Sequence, residues 1–515
     1  MRLRMTPALR HVVDGAVLLE WPGARDDDAN AKAVAIAIAL TDQRPRGVLD
    51  AVPGARTLLV LFDPELIAHQ AAEQLLLRIE PAKLQARSRT ITLPTVYGGV
   101  QGPDLEALAQ RARASVDELV RAHAAAEHRV AFLGFAPGFA YLTGAPHALA
   151  VPRLATPRVR VPGGSVAVAD GYSGIYPAQL PGGWHLIGRT STRLFEPAAK
   201  RPALLVPGDR VRFEPVAHLD FSSVDSTEEN TLDVRHPVLR VISPGAFTSV
   251  QGAPLHGLAS SGIPRGGAMD LAALAAANAA VGNPPPAPAL EMTVAGAEVE
   301  LLADAHAAIA GDVDSSPSGA WPRPVRAGQR LQFGTVRKGL RAYLAISGGL
   351  AHPDPHATTR RLRAGDVLGR ADTPAAPVRV PPPVEDRRRD PLEVRAVPGP
   401  HLEWFTTRGV DTFFSAEYVL SARSDRRGLR LEGPRVELSR PADLPPEGVT
   451  PGAVQVPGDG LPIALGPDGP VTGGYARVAS VIGADLPLLA QARPGQKIRF
   501  VRATLTEALA AWRSS

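Results

Sequence analysis

The segment FLGFAPGFAYL at 132–142 combines backbone freedom with aromatic surface. Its turn-forming residues are Gly134, Pro137 and Gly138, and its aromatic residues include Phe135, Phe139 and Tyr141. Glycine and proline predict a tight loop that brings backbone N–H groups close to a ligand, with ring faces for stacking. A core loop packed by its own aromatic side chains would use the same residue types. Both interpretations stand at this point.

Arginines precede a glycine-rich stretch between residues 152 and 190. Arg153, Arg158 and Arg160 come directly before VPGGSVAVADGYSG. A guanidinium beside a glycine turn can bind a carboxylate or a phosphate through two parallel hydrogen bonds. Arginine on a surface β-turn is the alternative.

His123 is a candidate general base, since histidine titrates near neutral pH. Ser115 and Glu118 form a capping-box pattern that predicts a helix start. Val116, Leu119, Val120 and His123 then share one helix face. A histidine on an apolar face is also compatible with a hydrogen-bonded core position.

Three polar clusters lie further along the chain. Asp270 and Asn278 are two turns apart in the predicted helix around Leu271–Val281, so they share a face. Asp425, Arg426 and Arg430 lie together in SDRRGLRLEG at 424–433, and VTGGY at 471–475 follows Asp468. Aspartate and arginine on glycine loops suit the binding of an anion or a carbonyl group, and equally suit structural ion pairs.

Composition excludes several classes of protein. The 515 residues include no cysteine, which removes disulfide scaffolds, zinc fingers and cysteine nucleophiles. The net charge of +5 comes without a basic stripe, so we expect no nucleic-acid partner. Phosphate-loop, G-x-S-x-G and H-E-x-x-H motifs are missing, and the 13 histidines show no metal-ligand spacing, so we expect no metal site. Without a signal peptide or an apolar run of about 18 residues, we predict a cytoplasmic protein that makes no membrane contact.

Local patterns predict the elements that position these residues. Residues 1 to about 90 suggest an α+β unit with strands at 16–20 and 57–62. Asp63 followed by Pro64 predicts a helix start, and the helix runs to Ile79 before Pro81. From Arg129 onward, short apolar runs alternate with glycine and proline, as in compact β-barrels.

A six-residue phrase recurs three times: GDRVRF at 208–213, GQRLQF at 328–333 and GQKIRF at 495–500. A longer echo pairs VPGGSVAVADG at 161–171 with VPGDGLPIALG at 456–466, and Gly182-Gly183-Trp184 with Gly473-Gly474-Tyr475. The repeats predict three related β-rich units, each closed by a strand after a glycine turn, that end near 215, 335 and 502.

Composition shifts divide the chain into domains. Residues 216–237 are polar and residues 371–390 are rich in proline, as in linkers. The predicted division is a small α+β domain at 1–92, a β-barrel at 93–215, a linker at 216–237, a β-rich unit at 238–375 and a second one at 376–515.

The first half resembles the B-type component of prokaryotic 5-oxoprolinase, the Kip-type kinase-inhibitor or allophanate hydrolase subunit 1 family. The resemblance rests on His123 and on four segments: GFAPGFAYL (134–142), GSVAVADGYSGIYP (164–177), PGGWHLIGRT (181–190) and LFE (194–196).

The second half resembles the C-type component of the same enzyme, the biotin-dependent carboxyltransferase or allophanate hydrolase subunit 2 family. The matching segments are SGIPRGGAMD (261–270), AAANAAVGN (275–283), LRAYLAISGGL (340–350), SDRRGLRLEGP (424–434), GAVQVPGDGLPI (452–463) and the run from TGGY to KIRF (472–500). The chain departs from the family where Gly252 and Leu255 replace an acid and an arginine.

The resemblance implies a mainly β fold with several cyclophilin-like barrels in tandem. It implies ATP-dependent hydrolysis of 5-oxo-L-proline to L-glutamate, with ATP and Mg²⁺ as cofactors and a separate A-type subunit (LamB/YcsF type) as partner. Two alternatives remain: a carboxyltransferase that acts on a urea-like amide with biotin carried by another chain, and a regulatory protein that binds a histidine kinase.

The resemblance also assigns site residues. The implied catalytic residues are His123, Asp270, Asp425, Arg426 and Arg430. The implied substrate- or nucleotide-binding residues are Gly134, Phe135, Pro137, Gly138, Phe139, Tyr141, Arg160, Ser165, Tyr176, Trp184, Arg189, Gln455, Gly473, Gly474 and Tyr475.

Overall fold

Four β-rich units follow one another in the computed structural model. It describes residues 7–22, 26–82, 89–225, 234–316, 318, 321–351, 360–371, 373, 376, 378 and 389–514. The units are a four-stranded sheet, a closed barrel, an eight-stranded sheet and a second closed barrel. The mainly β fold predicted from the sequence is confirmed. The cyclophilin-like description stays a prediction.

The N-terminal unit is an antiparallel sheet, in the order β1-β2-β4-β3, with helices packed against it. Its elements are β1 (Ala8–Val13), β2 (Ala16–Glu20), α1 (Asp26–Gln43), β3 (Val48–Pro53), β4 (Thr57–Phe62) and α2 (His69–Arg78). The strands predicted at 16–20 and 57–62 are confirmed. Every residue of β4 is buried, which its unbroken apolar sequence requires.

The helix predicted to start after Asp63 begins later. The Asp63 carboxylate accepts the Glu65 N–H at 2.9 Å, and the Ile67 N–H bonds to the Asp63 carbonyl, so these residues form a separate turn. The helix itself starts at His69 and ends at Arg78. The aspartate therefore stabilises a turn rather than the helix start.

The first barrel closes around seven strands in the order β10-β7-β6-β13-β5-β12-β9. Elements in this region are β5 (Thr90–Tyr97), α3 (Leu105–Ala112), α4 (Val116–Ala125), β6 (His128–Leu133), β7 (Ala140–Thr143), β8 (Arg158–Val161), β9 (Ser165–Ala169), β10 (Tyr172–Ile175), β11 (Leu180–Gly182), β12 (His185–Arg189), β13 (Arg210–Pro215) and the short α5 (Ser222–Asp225). The predicted capping box of Ser115 and Glu118 is confirmed at the start of α4.

An open sheet with one long helix separates the barrels. Its elements are β14 (Pro237–Ser243), β15 (Phe247–Gln251), α6 (Leu271–Ala280), β16 (Ala289–Thr293), β17 (Glu298–Leu301), β18 (Ala305–Ser316), β19 (Arg323–Val325), β20 (Arg330–Ile346) and β21 (Val367–Gly369). Helix α6 buries Leu274 and Ala277 against Tyr343 of β20. The predicted helix around 271–281 is thus present, with Asp270 as its N-cap and not within it.

The second barrel also closes around seven strands. Its region contains β22 (Leu392–Pro398), α7 (Thr407–Ser415), β23 (Glu417–Leu420), β24 (Gly428–Glu432), β25 (Asp443–Gly448), β26 (Ala453–Gln455), β27 (Ile463–Leu465), β28 (Thr472–Tyr475), β29 (Arg477–Val481), α8 (Leu486–Gln491), β30 (Lys497–Arg502) and α9 (Leu505–Trp512). Around the barrel the order is β27-β24-β23-β30-β22-β29-β26, which matches the first barrel strand for strand.

The recurring phrase lies at the same place in both barrels. Gly208 and Gly495 have φ of +94° and +85°, and each precedes the closing strand, β13 or β30. That strand pairs in parallel with the first strand of its barrel. The third phrase also has a positive-φ glycine, Gly328, but its strand β20 pairs antiparallel with β16, β17 and β18. The middle unit is therefore an open sheet, and the expectation of three similar units holds for two.

The longer sequence echo is partly out of register. Gly182–Trp184 and Gly473–Tyr475 do precede equivalent strands, β12 and β29. By contrast, the strand after 161–164 is β9, whose counterpart is β26, whereas the strand after 456–460 is β27. The true equivalent of Gly164 is Gly452, because both have positive φ and each carbonyl accepts an N–H at the same strand, from Thr190 or Val481.

The predicted boundaries lie close to element ends. Strand β5 begins at Thr90, three residues before the boundary predicted at 93, and β14 begins at Pro237. Part of the predicted linker, residues 226–233, and most of 371–390 lie outside the described residues. None of the described helices is long and apolar enough to cross a membrane.

Candidate functional site

The loop between β6 and β7 is held in a tight conformation. The Gly134 N–H bonds to the Phe139 carbonyl at 3.1 Å, and the Phe139 N–H bonds to the Ala136 carbonyl at 3.0 Å. Between them, Phe135 has φ of +66°, a left-handed conformation that is costly for a bulky residue. Its side chain is 43% exposed. The loop therefore holds an aromatic ring outward at the expense of backbone strain.

A cluster of buried rings supports that exposed phenylalanine. Phe139 makes edge-to-face contacts with Tyr141, Tyr176 and Trp184, at centroid distances of 5.1 to 5.5 Å. The Phe135 ring lies 5.3 Å from that of Phe139. Burial raises the pKa of both Tyr141 and Tyr176 to about 12, so their hydroxyls stay neutral at physiological pH.

This loop meets the second half of the chain directly. A Cβ atom on Gly134 would lie 1.6 Å from Thr472 Oγ1, so only glycine fits at that contact. The Gly138 N–H bonds to the Ser261 carbonyl at 3.2 Å. Gly262 has φ of +77°, and a Cβ there would lie 2.9 Å from the Ala136 carbonyl. We call residues 134–139, 261–262 and 472–475 together the inter-half site.

The second half contributes an exposed ring of its own to this site. Tyr475, at the end of β28, is 40% exposed. Gln455 Nε2 lies 3.4 Å from the Tyr475 carbonyl, and a Cβ on Gly473 would lie 2.4 Å from that Nε2 atom. Gly473 therefore lets the strand approach the buried glutamine.

Arg153 brings positive charge to the same region. Its Nε donates to Asp170 Oδ2 at 2.9 Å, and more than half of its side chain is exposed. Burial opposes its charge, but the neighbouring Tyr141, Asp170 and Tyr475 raise its pKa. A guanidinium thus lies near the buried Tyr141 of the first half and the exposed Tyr475 of the second half.

A second set of ionisable groups at the boundary between the halves was missed by sequence reasoning. Asp50 of β3 accepts the Ala259 N–H at 3.1 Å through Oδ1, while its buried Oδ2 has no hydrogen-bond partner. Burial raises the pKa of Asp50 to about 6, although Arg265 acts in the opposite direction. Burial and Arg265 lower the pKa of His256 to about 4. No local pattern around Asp50 signals this contact, since its partners are more than 200 residues away.

Arg426 is anchored in a buried ion network. Its guanidinium bonds to Asp468 Oδ2 and Glu291 Oε1, each at 2.6 Å, and to the Gly267 carbonyl at 2.7 Å. Burial opposes its charge, but Glu291 and Asp468 raise the pKa of Arg426 far above its ordinary value. With its donors already engaged, Arg426 joins the middle sheet to the second barrel.

The structure brings together only some residues of the predicted second-half cluster. Asp270 does lie near this network: its N–H contacts the Tyr343 hydroxyl at 2.9 Å, and its carboxylate accepts from Ala273 and Gln491. Asp425 and Arg430, however, are exposed. Asp425 accepts the N–H groups of Arg427 and Gly428 and so shapes a turn, which keeps it out of the network.

The structure places His123 in the core of the first barrel region. It is fully buried, with Nδ1 2.8 Å from the Tyr97 hydroxyl and Nε2 3.0 Å from Ser173 Oγ. Burial and the neighbouring His128 hold its pKa well below the ordinary value. Of the two interpretations, the geometry matches a hydrogen-bonded core histidine rather than a base beside the loop.

The remaining predicted ligands of the first half are dispersed. Arg189 bonds to the Gly163 carbonyl at 2.7 Å and to the Asp225 carboxylate, and its guanidinium lies 4.5 Å from the Phe221 ring. It thus binds a carboxylate of its own chain. Arg160 is exposed on β8, and Ser165 is buried in β9, where its carbonyl accepts the Tyr176 N–H.

Two family models match this arrangement of halves. A carboxyltransferase domain described as subdomain C and D matches residues 7–205. The carboxyltransferase domain described as subdomain A and B matches residues 261–502. The C-type 5-oxoprolinase subunit of Escherichia coli strain K12 is 36% identical over 295 residues, which cover 53% of this chain and 94% of that protein. The chain belongs to the carboxyltransferase-domain family.

Relatives of this carboxyltransferase-type chain match its halves separately. The B-type 5-oxoprolinase subunit of Escherichia coli O157:H7 is 46% identical over 170 residues, which cover 33% of this chain and 78% of that protein. A urea amidolyase of Lachancea kluyveri is 30% identical over 315 residues, which cover 53% of this chain and 17% of that protein. The chain therefore joins in one polypeptide the homologues of the B-type and C-type components of 5-oxoprolinase.

A solved structure matches nearly the whole carboxyltransferase-type chain. The crystal structure of TTHA0988 superimposes with a TM-score of 0.84 at 33% identity, covering 96% of this chain and 100% of that one. The order and packing of the units are thus shared with a solved structure.

Proposed function

We propose that this chain supplies the B-type and C-type parts of an ATP-dependent 5-oxoprolinase, which hydrolyses 5-oxo-L-proline to L-glutamate in the cytoplasm together with a separate A-type subunit. Support comes from relatives named as parts of 5-oxoprolinase, which match each half of the chain. The enzyme would act without covalently bound biotin on this chain.

The contact between Gly134 and Thr472 carries the proposal. It joins the aromatic loop of the B-like half to the TGGY segment of the C-like half, two of the segments on which the family resemblance rests. Since each half supplies an exposed ring to the same region, a ligand held there would contact both.

The inter-half site suits a small, flat anion. A lactam ring can lie against the exposed faces of Phe135 and Tyr475, and the Arg153 guanidinium matches a single carboxylate. Binding in this way would orient the lactam carbonyl for attack by water.

ATP fits this site less well than the lactam does. A triphosphate with Mg²⁺ is usually held by a cradle of backbone N–H groups together with lysine or several arginines. The chain has no phosphate-loop motif. Arg153 bonds to Asp170 through Nε, so its terminal N–H groups suit one carboxylate rather than a triphosphate. We therefore assign the lactam, and not the nucleotide, to the inter-half site. In the proposed reaction ATP supplies the energy that activates the carbonyl.

The test is 5-oxo-L-proline-dependent formation of glutamate by this chain mixed with its A-type partner. We expect ATP hydrolysis and glutamate release in equal amounts. Arg153→Gln is expected to raise the KM for 5-oxo-L-proline, whereas Arg111→Gln, an exposed arginine on α3, serves as the matched control. Two folded proteins that together release no glutamate would overturn the proposal.

A carboxyltransferase is the second candidate, favoured by the match to urea amidolyase relatives and by the family description. A urea-like amide bound at the inter-half site would then receive the carboxyl group from carboxylated biotin on another chain, which leaves as free biotin. Transfer of labelled carboxyl from a carboxylated biotin carrier to urea, without any 5-oxoproline-dependent reaction, would favour this function over the first.

A further inference from the structure

Two histidines and a glutamate meet at the edge of the N-terminal sheet, away from the inter-half site. His11 lies in β1, while His69 and Glu73 lie one turn apart on the same face of α2. Glu73 Oε1 is 3.2 Å from His11 Nδ1 and 3.3 Å from His69 Nδ1. The two imidazole rings are 5.0 Å apart between centroids.

These distances match those between the ligands of a metal ion. Ligand atoms at about 2.0–2.1 Å from a tetrahedral ion lie roughly 3.3 Å from one another. The three atoms all lie within 4.8 Å of one another. Two imidazole nitrogens and one carboxylate oxygen form a common donor set for zinc and related divalent ions.

The cluster combines a fixed side with an open side. His69 is buried, with its ring edge-to-face against Phe62 at 5.2 Å. Glu73 is half-buried, and its Oε1 atom has no hydrogen-bond partner. His11 is 55% exposed, so the third donor faces solvent. An ion bound there would be held by a rigid helix face and would keep a position open for water.

A cation also removes an electrostatic problem. The Glu73 carboxylate is a hydrogen-bond acceptor, and an unprotonated Nδ1 of His11 or His69 is an acceptor as well, so their lone pairs repel. A cation between these atoms binds the lone pairs and removes the repulsion.

We propose that His11, His69 and Glu73 form a binding site for a divalent transition-metal ion of the zinc class. The helix supplies two ligands four residues apart and the first strand supplies the third. The sequence predicted no metal site, and His11 comes close to His69 and Glu73 only through the fold.

The experiment uses the full chain without an affinity tag, freed of metal and titrated with Co²⁺ and then with Zn²⁺. The chain has no cysteine, so thiolate binding cannot contribute. We expect one Co²⁺ per chain, with the strong visible absorption of a four- or five-coordinate ion, and its displacement by Zn²⁺. Glu73→Gln and His11→Ala should each weaken binding by more than about 100-fold, since loss of an outer-shell contact alone costs 10–100-fold.

The control is His147→Ala, an exposed histidine elsewhere in the chain. His11 is exposed and Gln has the size of Glu, so both test variants should keep the melting temperature of the metal-free protein. No stoichiometric Co²⁺ binding, or equal affinity in the wild type and both test variants, would overturn the proposal. Neither outcome bears on 5-oxoprolinase activity, which is measured separately.

Discussion

The two barrels have the same strand order but use one equivalent loop in opposite ways. In the first barrel, the loop between β6 and β7 holds Phe135 outward over a cluster of rings. The equivalent loop of the second barrel, between β23 and β24, turns Arg426 inward onto Glu291 and Asp468. One barrel fold thus exposes an aromatic side chain in one copy and anchors a buried arginine in the other.

The Gly-Gly turns that precede β12 and β29 also differ between the two barrels. Trp184 follows Gly182-Gly183 and is buried, whereas Tyr475 follows Gly473-Gly474 and is 40% exposed. The shared topology therefore fixes the position of the backbone, and the neighbouring residues decide whether the side chain is buried or exposed. Fold alone does not assign function to equivalent positions.

The largest loss of stability is expected from a substitution of Arg426, which anchors the loop between β23 and β24. Arg426→Met removes the cation that both Glu291 and Asp468 contact and leaves Glu291 only the more distant Arg341, at 3.5 Å. The loss should lower the free energy of unfolding by about 3–5 kcal/mol. Denaturant unfolding of the variant measures this loss. Arg427→Met, at the exposed neighbouring position, is the matched control and should change stability little. Equal stability of the two variants would show that the loop is not an anchor.

Two buried carboxylates outside the barrels, Glu291 of β16 and Asp50 of β3, should respond oppositely to pH. Burial would raise the pKa of Glu291, but Arg426 and Arg341 outweigh burial and lower that pKa. The stability that the ionised Glu291 contributes is therefore lost as pH falls through its pKa in the folded protein. The pKa of Asp50 is raised from 3.8 to about 6, so its contribution to stability is full below 3.8 and is lost as pH rises through 6.

Asp50→Asn keeps the acceptor for the Ala259 N–H and removes the charge. The full shift of about two pKa units corresponds to about 3 kcal/mol, and roughly half of it falls above pH 5, so the variant should gain about 1.4 kcal/mol over the wild type between pH 5 and pH 7.5. Asp14, whose pKa is also raised to about 6, is present in both proteins and cancels in the difference. Unfolding curves at the two pH values measure the gain, and a pH-independent difference would contradict the assignment.

The contact at Gly134 is expected to control activity more than stability. Gly134→Ala places a methyl group 1.6 Å from Thr472 Oγ1 and forces the two loops apart. A displacement of about 1 Å at a reaction site can cost about 100-fold in kcat/KM, and we expect a loss of that order in glutamate formation. Thr472→Gly in the same chain should restore much of it.

Gly458→Ala is the control for this substitution, because its added Cβ would meet only Ala442, at 4.0 Å. Failure of the second substitution to rescue activity would mean that Gly134 acts through its own loop. A normal rate of glutamate formation in Gly134→Ala would show that the contact with Thr472 does not control activity.

A smaller effect is expected from the exposed ring. Phe135→Ala removes one stacking face, worth roughly 0.5–1.5 kcal/mol, so the KM for 5-oxo-L-proline should rise by about tenfold or less while stability is kept. Val419→Ala, an exposed apolar side chain of the second barrel, should leave the KM unchanged. Steady-state kinetics of the two variants measure this difference.

Local features of the fold were predictable from sequence, whereas long-range contacts were not. The capping box at Ser115 and the apolar strand at 57–62 follow from neighbouring residues. Asp63 predicts a helix start, but the structure has a turn there, because helix starts and turns both use an aspartate that accepts nearby N–H groups. The recurring phrase predicted three equivalent closing strands, and two are found, because β20 pairs only antiparallel among the described strands.

The site shows the same limit. The aromatic loop at 134–139 was identified because its residues are contiguous, and its position at the inter-half boundary was not. Arg426 and Glu291 are 135 positions apart, so nothing in SDRRG shows that the arginine is buried. The position of His123 on an apolar helix face could not decide whether it is a core residue or a site residue, because histidines of both kinds occupy such positions.

The most direct test of the difference between the barrels is hydrogen exchange in the complex of this chain with its A-type partner and a non-hydrolysable ATP analogue, with and without 5-oxo-L-proline. We predict that 5-oxo-L-proline slows amide exchange at 134–142 and at 472–476 and leaves 421–428 unchanged. Slower exchange at 421–428, with none at the other two segments, would contradict the account.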